Sequence, residues 1–303
     1  GKINEAEIGA AVLRVLDLKD RLGLFEDPYR SASADNEKLL LLCEEHRKAA
    51  CEAAAKSMVL LENNGILPLK KGMRVALIGP FAEGKDILGG WGCTGRFDET
   101  VSVYDAVKAS GYFSEVTAAY GAGFDGADDA ELEKAVKTAE NSDVAVLLIG
   151  EHQDMSGEAA SRTDISLPAA QKKLFDKIVK TGKPVITVIF SGRPLLLSET
   201  AERSEALIQA WFPGTEGGRA VADLITGKTE PQGRLTMSFP RNMGQIPLYY
   251  NAFSTGRPVT GENPAERYLS KVYRLSQHSA LSLRIRTFIF THGNKRGFLR
   301  GIG

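Results

Sequence analysis

Five short apolar runs, "RVALIGPF", "VTAAYG", "VAVLLIG", "PVITVIFSG" and "ALIQAWFPG", each carry a glycine at or near their end. They alternate with helix-patterned segments such as "DAELEKAVKTAENS" and "PAAQKKLFDKIVKTG". Hydrophobicity that is continuous rather than alternating belongs to strands covered on both faces, which requires helices on both sides of a parallel sheet. The expected fold class is therefore α/β: a doubly wound, mostly parallel sheet with helices on both faces, a three-layer sandwich. In such sheets ligands bind beyond the carboxyl ends of the strands. A site is expected in the loops that follow Gly79, Gly150, Gly192 and Gly214.

The N-terminal part is patterned differently. Residues 5–23 place Ile8, Val12, Val15, Leu16 and Leu22 on one side of a helix that Gly23 and Pro28 bring to a stop. A second helix is expected from about Asn36 to Val59, opening at Ser-Ala-Asp caps and running out in the loop "LLENNGILPL". No repeat or low-complexity segment interrupts the chain before about residue 255, beyond which "STGRPVTGENPAERYLSK" is polar and loop-like.

Composition narrows the partners. The 303 residues carry 38 basic and 38 acidic side chains with no long basic run, so neither nucleic acid nor an anionic membrane is an expected partner. No apolar stretch reaches the roughly 18 residues of a membrane span, and "GKINEAEIG" has no signal-peptide core, so a soluble chain is expected. Cys43, Cys51 and Cys93 form no C-x-x-C pair, which argues against a zinc site or a disulfide framework and for free, packed thiols. No cofactor or metal is expected.

The loop after Gly150 is the richest in chemistry. Glu151, Asp154, Glu158 and Asp164 crowd four carboxylates into the stretch that contains "MSGEAASRTD". A carboxyl group at a strand end can act as a general acid when partial burial raises its pKa. The competing reading is a solvated loop whose acids pair with Arg162 and whose Asp164 and Ser166 cap the following helix. "LGGWGCTGRF" sets Trp91 among glycines, either as a platform for the apolar face of a sugar or as a packed side chain. "WFPGTEGGRA" lacks the lysine and spacing of a P-loop and reads as a close-packed helix entry. No G-x-S-x-G elbow is present. A pairing of His152 with Ser156 or Ser191 is a geometry open to nucleophilic hydrolysis, not a motif.

Taken together, "KSMVLLENNGILPLKK", "VALIGPFA", "GGWG", "VLLIGEHQDMSGEAASRTDISLPAAQKKL", "GKPVITVIFSGRPL" and "ALIQAWFPGTEGGRAVADLITGKTEPQGRLTMSFPRNMGQIPLYYN" resemble the C-terminal α/β sandwich domain of glycoside hydrolase family 3, bacterial β-glucosidase branch. The resemblance covers roughly residues 5–271. It implies retaining hydrolysis by two carboxyl groups, a nucleophile from a preceding TIM barrel and an acid/base from the sandwich loop. Carried onto this sequence, the acid/base is Glu158; beside it Trp91, Glu151, Arg162 and Asp164 are the candidate substrate-binding residues, with Arg162 and Asp164 as supports of the Glu158 loop. Residues 1–30 resemble the last barrel helix and exit linker, 31–255 the sandwich, and 256–303 an extended loop and tail.

The expected picture is a truncated domain with weak or no glycosidase activity, taking a small carbohydrate, in a bacterial cytoplasm or periplasm. The face vacated by the barrel would be covered by homodimerisation. A small-ester hydrolase, using a serine such as Ser191 or an activated water near Glu158 and His152, and a non-catalytic carbohydrate-binding fragment, are the alternatives. The tail departs from the family. Read one base out of phase with suitable codons, "VYRLSQHSALSLRIRTFIF" becomes YIDCPNTPLYPFGYGLSYS, the family's usual continuation, which implies one inserted nucleotide after the Lys271 codon.

Overall fold

The computed structural model describes residues 2–30, 32–93, 95–249 and 253. The chain divides into two compact units between Arg47 and Lys48. In the first, α1 (Glu5–Arg21) opens with a reciprocal capping box between Asn4 and Glu7 and closes at Gly23, whose φ of +69° suits the turn. α2 (Ala34–Leu40) is capped by Ser33, whose hydroxyl accepts from the Asn36 N–H at 3.0 Å. The expected helix from Asn36 to Val59 is not continuous. Leu41 is extended and Leu42 has a positive φ of 56°, so the chain breaks before α3 (Glu44–Ser57) begins.

The second unit is built on a six-stranded sheet. β1 (Val59–Asn63), β2 (Arg74–Ile78), β3 (Glu115–Ala119), β4 (Val144–Gly150), β5 (Val185–Phe190) and β6 (Ala206–Gln209) lie in the order β1-β6-β5-β4-β2-β3. Five strands are parallel, as the apolar runs predict, and β1 joins β6 antiparallel with Val59 opposite Gln209. β1 was expected to be helix end and loop. Its residues Val59, Leu60 and Leu61 are apolar and buried, and pairing with β6 satisfies a backbone that a continued helix would have carried away from the sheet.

Successive residues of each strand enter opposite cores. Val75, Leu77, Val146, Leu148, Ile186 and Val188 pack with α3, α4 (Val103–Ala109) and α8 (Gly217–Ile225) on one face. Ala76, Ile78, Leu147 and Ile149 pack with α5 (Asp129–Glu140) and α6 (Ala169–Val179) on the other, and α7 (Ser198–Arg203) lies against the β6 side. This is the doubly wound sandwich. In α6, Leu174, Phe175 and Ile178 are spaced to face the sheet, and burying each contributes about 1.5–3 kcal/mol. Gly217 and Gly218 enter α8 so tightly that a Cβ on Gly218 would stand 2.3 Å from the Val101 carbonyl, which supports the close-packed reading of "TEGGRA".

Two local expectations are corrected. α6 starts at Pro168 without a side-chain cap, so neither Asp164 nor Ser166 caps it; Asp164 instead accepts from the Ser166 N–H at 2.8 Å, closing a loop turn. All three cysteines are free, but Cys93 is exposed rather than packed. No helix among the described residues is long and apolar enough to cross a membrane. The tail expectation lies outside the described residues.

Candidate active site

The chain from β2 goes to β3 on one side, and β4 pairs with β2 on the other, so the order in which the chain lays down its parallel strands reverses between β2 and β4. Loops leaving the carboxyl ends of two such strands diverge and open a crevice, the usual ligand position in α/β sheets. The loop after β2 carries Trp91, and the loop after β4 carries Glu151 to Asp164. The topology thus brings together two segments that the sequence could only treat separately.

Several contacts stitch these loops. His152 Nε2 stands 2.6 Å from Asp86 Oδ2, while its Nδ1 accepts from the Asp154 N–H at 3.3 Å. Burial pushes the Asp86 carboxyl above its usual range, the His152 ring opposes this, and the Asp154 charge adds to it. Gly90 lies close enough to the β4 loop that a Cβ there would meet the Gln153 and Ser156 carbonyls at 3.3 Å. Trp91 is 69% exposed, which decides its reading: it is not a core residue. Its indole edge approaches Gly157, next to Glu158.

Glu158 sits in a turn spanning Gly157 to Ala160, with Ala160 N–H donating to the Gly157 carbonyl at 3.3 Å and Ala159 at φ 58°. It is exposed, and no hydrogen bond or ion pair to it occurs among the described residues. Beneath the turn lies Glu151, 0% exposed. It receives Arg162 Nη1 at 2.9 Å on one oxygen and Arg193 Nε at 3.2 Å on the other. Burial pushes its carboxyl up, and Arg193 and Arg162 pull against that. Arg162 also reaches the Met155 sulfur, so Glu151 and Arg162 support the loop from within. Asp164 is exposed, and the Ser166 N–H holds its carboxyl below the ordinary range.

Ser191 is 0% exposed; its hydroxyl donates to the Arg193 carbonyl at 2.7 Å and accepts from Gln209 Nε2 at 3.0 Å. With both nitrogens of His152 engaged by Asp86 and Asp154, no nucleophile and base pair for ester hydrolysis is assembled from Ser191 and His152. Sequence reasoning missed Asp86 and Arg193. A lone Asp before "ILGGWG" and an Arg in "SGRP" announce nothing until their partners arrive from other loops. No cluster of His, Cys, Asp or Glu among the described residues is arranged to hold a metal.

The profile of the Glycosyl hydrolase family 3 C-terminal domain matches residues 58–277. The chain belongs to glycoside hydrolase family 3. This family 3 chain is 36% identical over 299 residues to the periplasmic beta-glucosidase of Salmonella typhimurium, covering 90% of itself and 39% of that protein. It is 38% identical over 254 residues to a beta-xylosidase of Formosa agariphila, covering 80% of itself and 35% of the relative. Among solved structures, the beta-glucosidase of Listeria innocua in complex with gluconolactone superposes with a TM-score of 0.85 at 42% identity, over 92% of this chain and 38% of the other. The family 3 chain therefore spans about two-fifths of the length of the proteins it matches.

Proposed function

We propose that the chain supplies the acid/base half of a retaining β-glycosidase site, with Glu158 as proton donor and a β-glucoside or β-xyloside as substrate. The observation that carries this reading is the placement of the Glu158 turn beside the exposed Trp91 at the switch point of a family 3 sheet. A retaining mechanism needs a second carboxyl about 5–5.5 Å from the first, across the anomeric carbon. In this reading a barrel domain provides it, and the 303 residues alone turn over aryl β-glycosides weakly or not at all. The acid would protonate the departing oxygen, and then, as carboxylate, draw a proton from the water that releases the sugar.

The test is a graft of this chain in place of the matching segment of the Listeria innocua enzyme. The graft should hydrolyse nitrophenyl β-glucoside, and Glu158→Gln should lower kcat by about a hundredfold. The loss should be larger for alkyl glucosides than for dinitrophenyl glucoside, whose leaving group needs no proton. Equal turnover by the graft and its Glu158→Gln variant would refute the assignment.

Trp91 is the platform in this reading. Indole emission of the chain should change on adding glucose or cellobiose, and the response should vanish in Trp91→Phe, which keeps Trp211 as an internal control. A response that survives in Trp91→Phe would remove Trp91 from the site.

A further inference from the structure

Glu158 has no bonded partner of its own among the described residues, so its position depends on the turn that carries it. That turn is flanked by the Met155 and Ala160 carbonyls, and both accept from the same nitrogen, Arg193 Nη2, the second at 3.0 Å. The Nε of the same guanidinium bonds Glu151, which is buried and fixed at the end of β4. Arg193 is held in turn from below. Its carbonyl accepts from Ser191, and Ser191 accepts from Gln209 on β6, both fully buried. The two loops touch directly as well, because a Cβ on Gly192 would lie 2.2 Å from Ser156 Oγ.

We propose that Arg193, from the loop after β5, is the positioning residue for the acid/base turn, resting on the reading of Glu158 given above. The buried Gln209 and Ser191 hold the Arg193 backbone, the buried Glu151 holds its guanidinium, and that guanidinium sets the two ends of the Glu158 turn. The role needs arginine. Three acceptors in different directions are reached by a planar fork whose geometry is fixed, whereas a lysine ammonium at the end of a flexible stem is a single point. The contacts to the Met155 and Ala160 carbonyls separate this role from the stability that the Glu151 pair contributes: losing those two frees the turn locally, whereas losing the pair lowers the stability of the unit as a whole.

The experiment uses the full chain with Cys43→Ala, Cys51→Ala and Cys93→Ser, and bimane attached through Glu158→Cys, so that quenching by Trp91 reports the distance between turn and platform. Quenching should be strong with Arg193 present and absent in a Trp91→Phe control. In Arg193→Ala it should be lost, and the amides of residues 156–160 should exchange about tenfold faster while those of β4 do not change. Millimolar guanidinium should restore quenching to Arg193→Ala, and tetramethylammonium at equal ionic strength should not. Arg193→Lys, which keeps the charge, should remain unquenched. Unaltered quenching in Arg193→Ala overturns the proposal. If that variant does not fold, full quenching and unchanged exchange in Arg193→Lys overturn it. None of these readouts needs turnover. A graft indifferent to Glu158→Gln defeats the acid/base reading alone, and unaltered quenching defeats the positioning role alone.

Discussion

Replacing Gly150 by valine is expected to abolish the soluble fold, and replacing it by alanine to cost about 4 kcal/mol or more, at the severe end for single substitutions. Gly150 closes β4 at φ +148°, a region that side chains rarely enter. A Cβ there would lie 1.8 Å from the Phe190 carbonyl oxygen. That oxygen already accepts from the Glu151 N–H at 2.8 Å, so the added carbon and an existing hydrogen bond compete for one place. The Gly150 N–H is itself held by Gln171 of α6 at 2.7 Å, which prevents the strand end from rotating aside. The clash is with backbone in the middle of the sheet, and β4 and β5 would have to part. Soluble yield and thermal unfolding by circular dichroism check this. A Gly150→Val protein that melts cooperatively within a few degrees of the parent would show that the strand end is softer than its contacts indicate.

Glu151→Ala should destabilise the second unit by about 3 kcal/mol, because breaking a buried charge pair leaves its partners uncompensated. Here two guanidiniums, Arg162 and Arg193, lose their shared carboxylate. Both retain some contact with water, with side chains 25% and 21% exposed, which places the cost at the lower end of the range for buried pairs. For a unit of this size the melting temperature should fall by about 10 °C. Added salt should recover part of the loss in Glu151→Ala by screening the two arginines from each other. Glu151→Gln, which keeps the shape and one acceptor, should cost less. The loss in Glu151→Ala combined with Arg193→Ala should be smaller than the sum of the single losses, since the second change removes a charge that the first left unpaired. Additive losses would mean that Glu151 and Arg193 do not share an interaction energy.

Much of the architecture was legible because it follows from periodicity alone. Five of the six strands announced themselves as unbroken apolar runs, and the structure shows the reason: adjacent residues such as Leu147 and Leu148 enter different cores, so neither can be polar. β1 escaped notice because "MVLLEN" extends the preceding helix without a breaker, and only an open edge beside β6 makes it a strand. The break at Leu42 was equally hidden, since no glycine or proline marks it. Helix caps were read correctly where the capping side chain is local, as at Ser33, and wrongly at α6, where Asp164 finds a nearer partner in Ser166.

By itself, the sequence determined the class of the sheet, the ends of five of its strands, and the glycines, such as Gly150, that those ends require. These depend on side-chain periodicity and backbone conformation, which neighbouring residues dictate. The tertiary structure alone decided that Trp91 faces solvent beside the Glu158 turn, that Asp86 meets His152, and that Arg193 and Arg162 share one buried carboxylate. Each of these joins loops far apart in the chain. A charged side chain's role is set by which opposite charge or carbonyl the crossing of strands brings within reach, and no local pattern in the sequence encodes that distance.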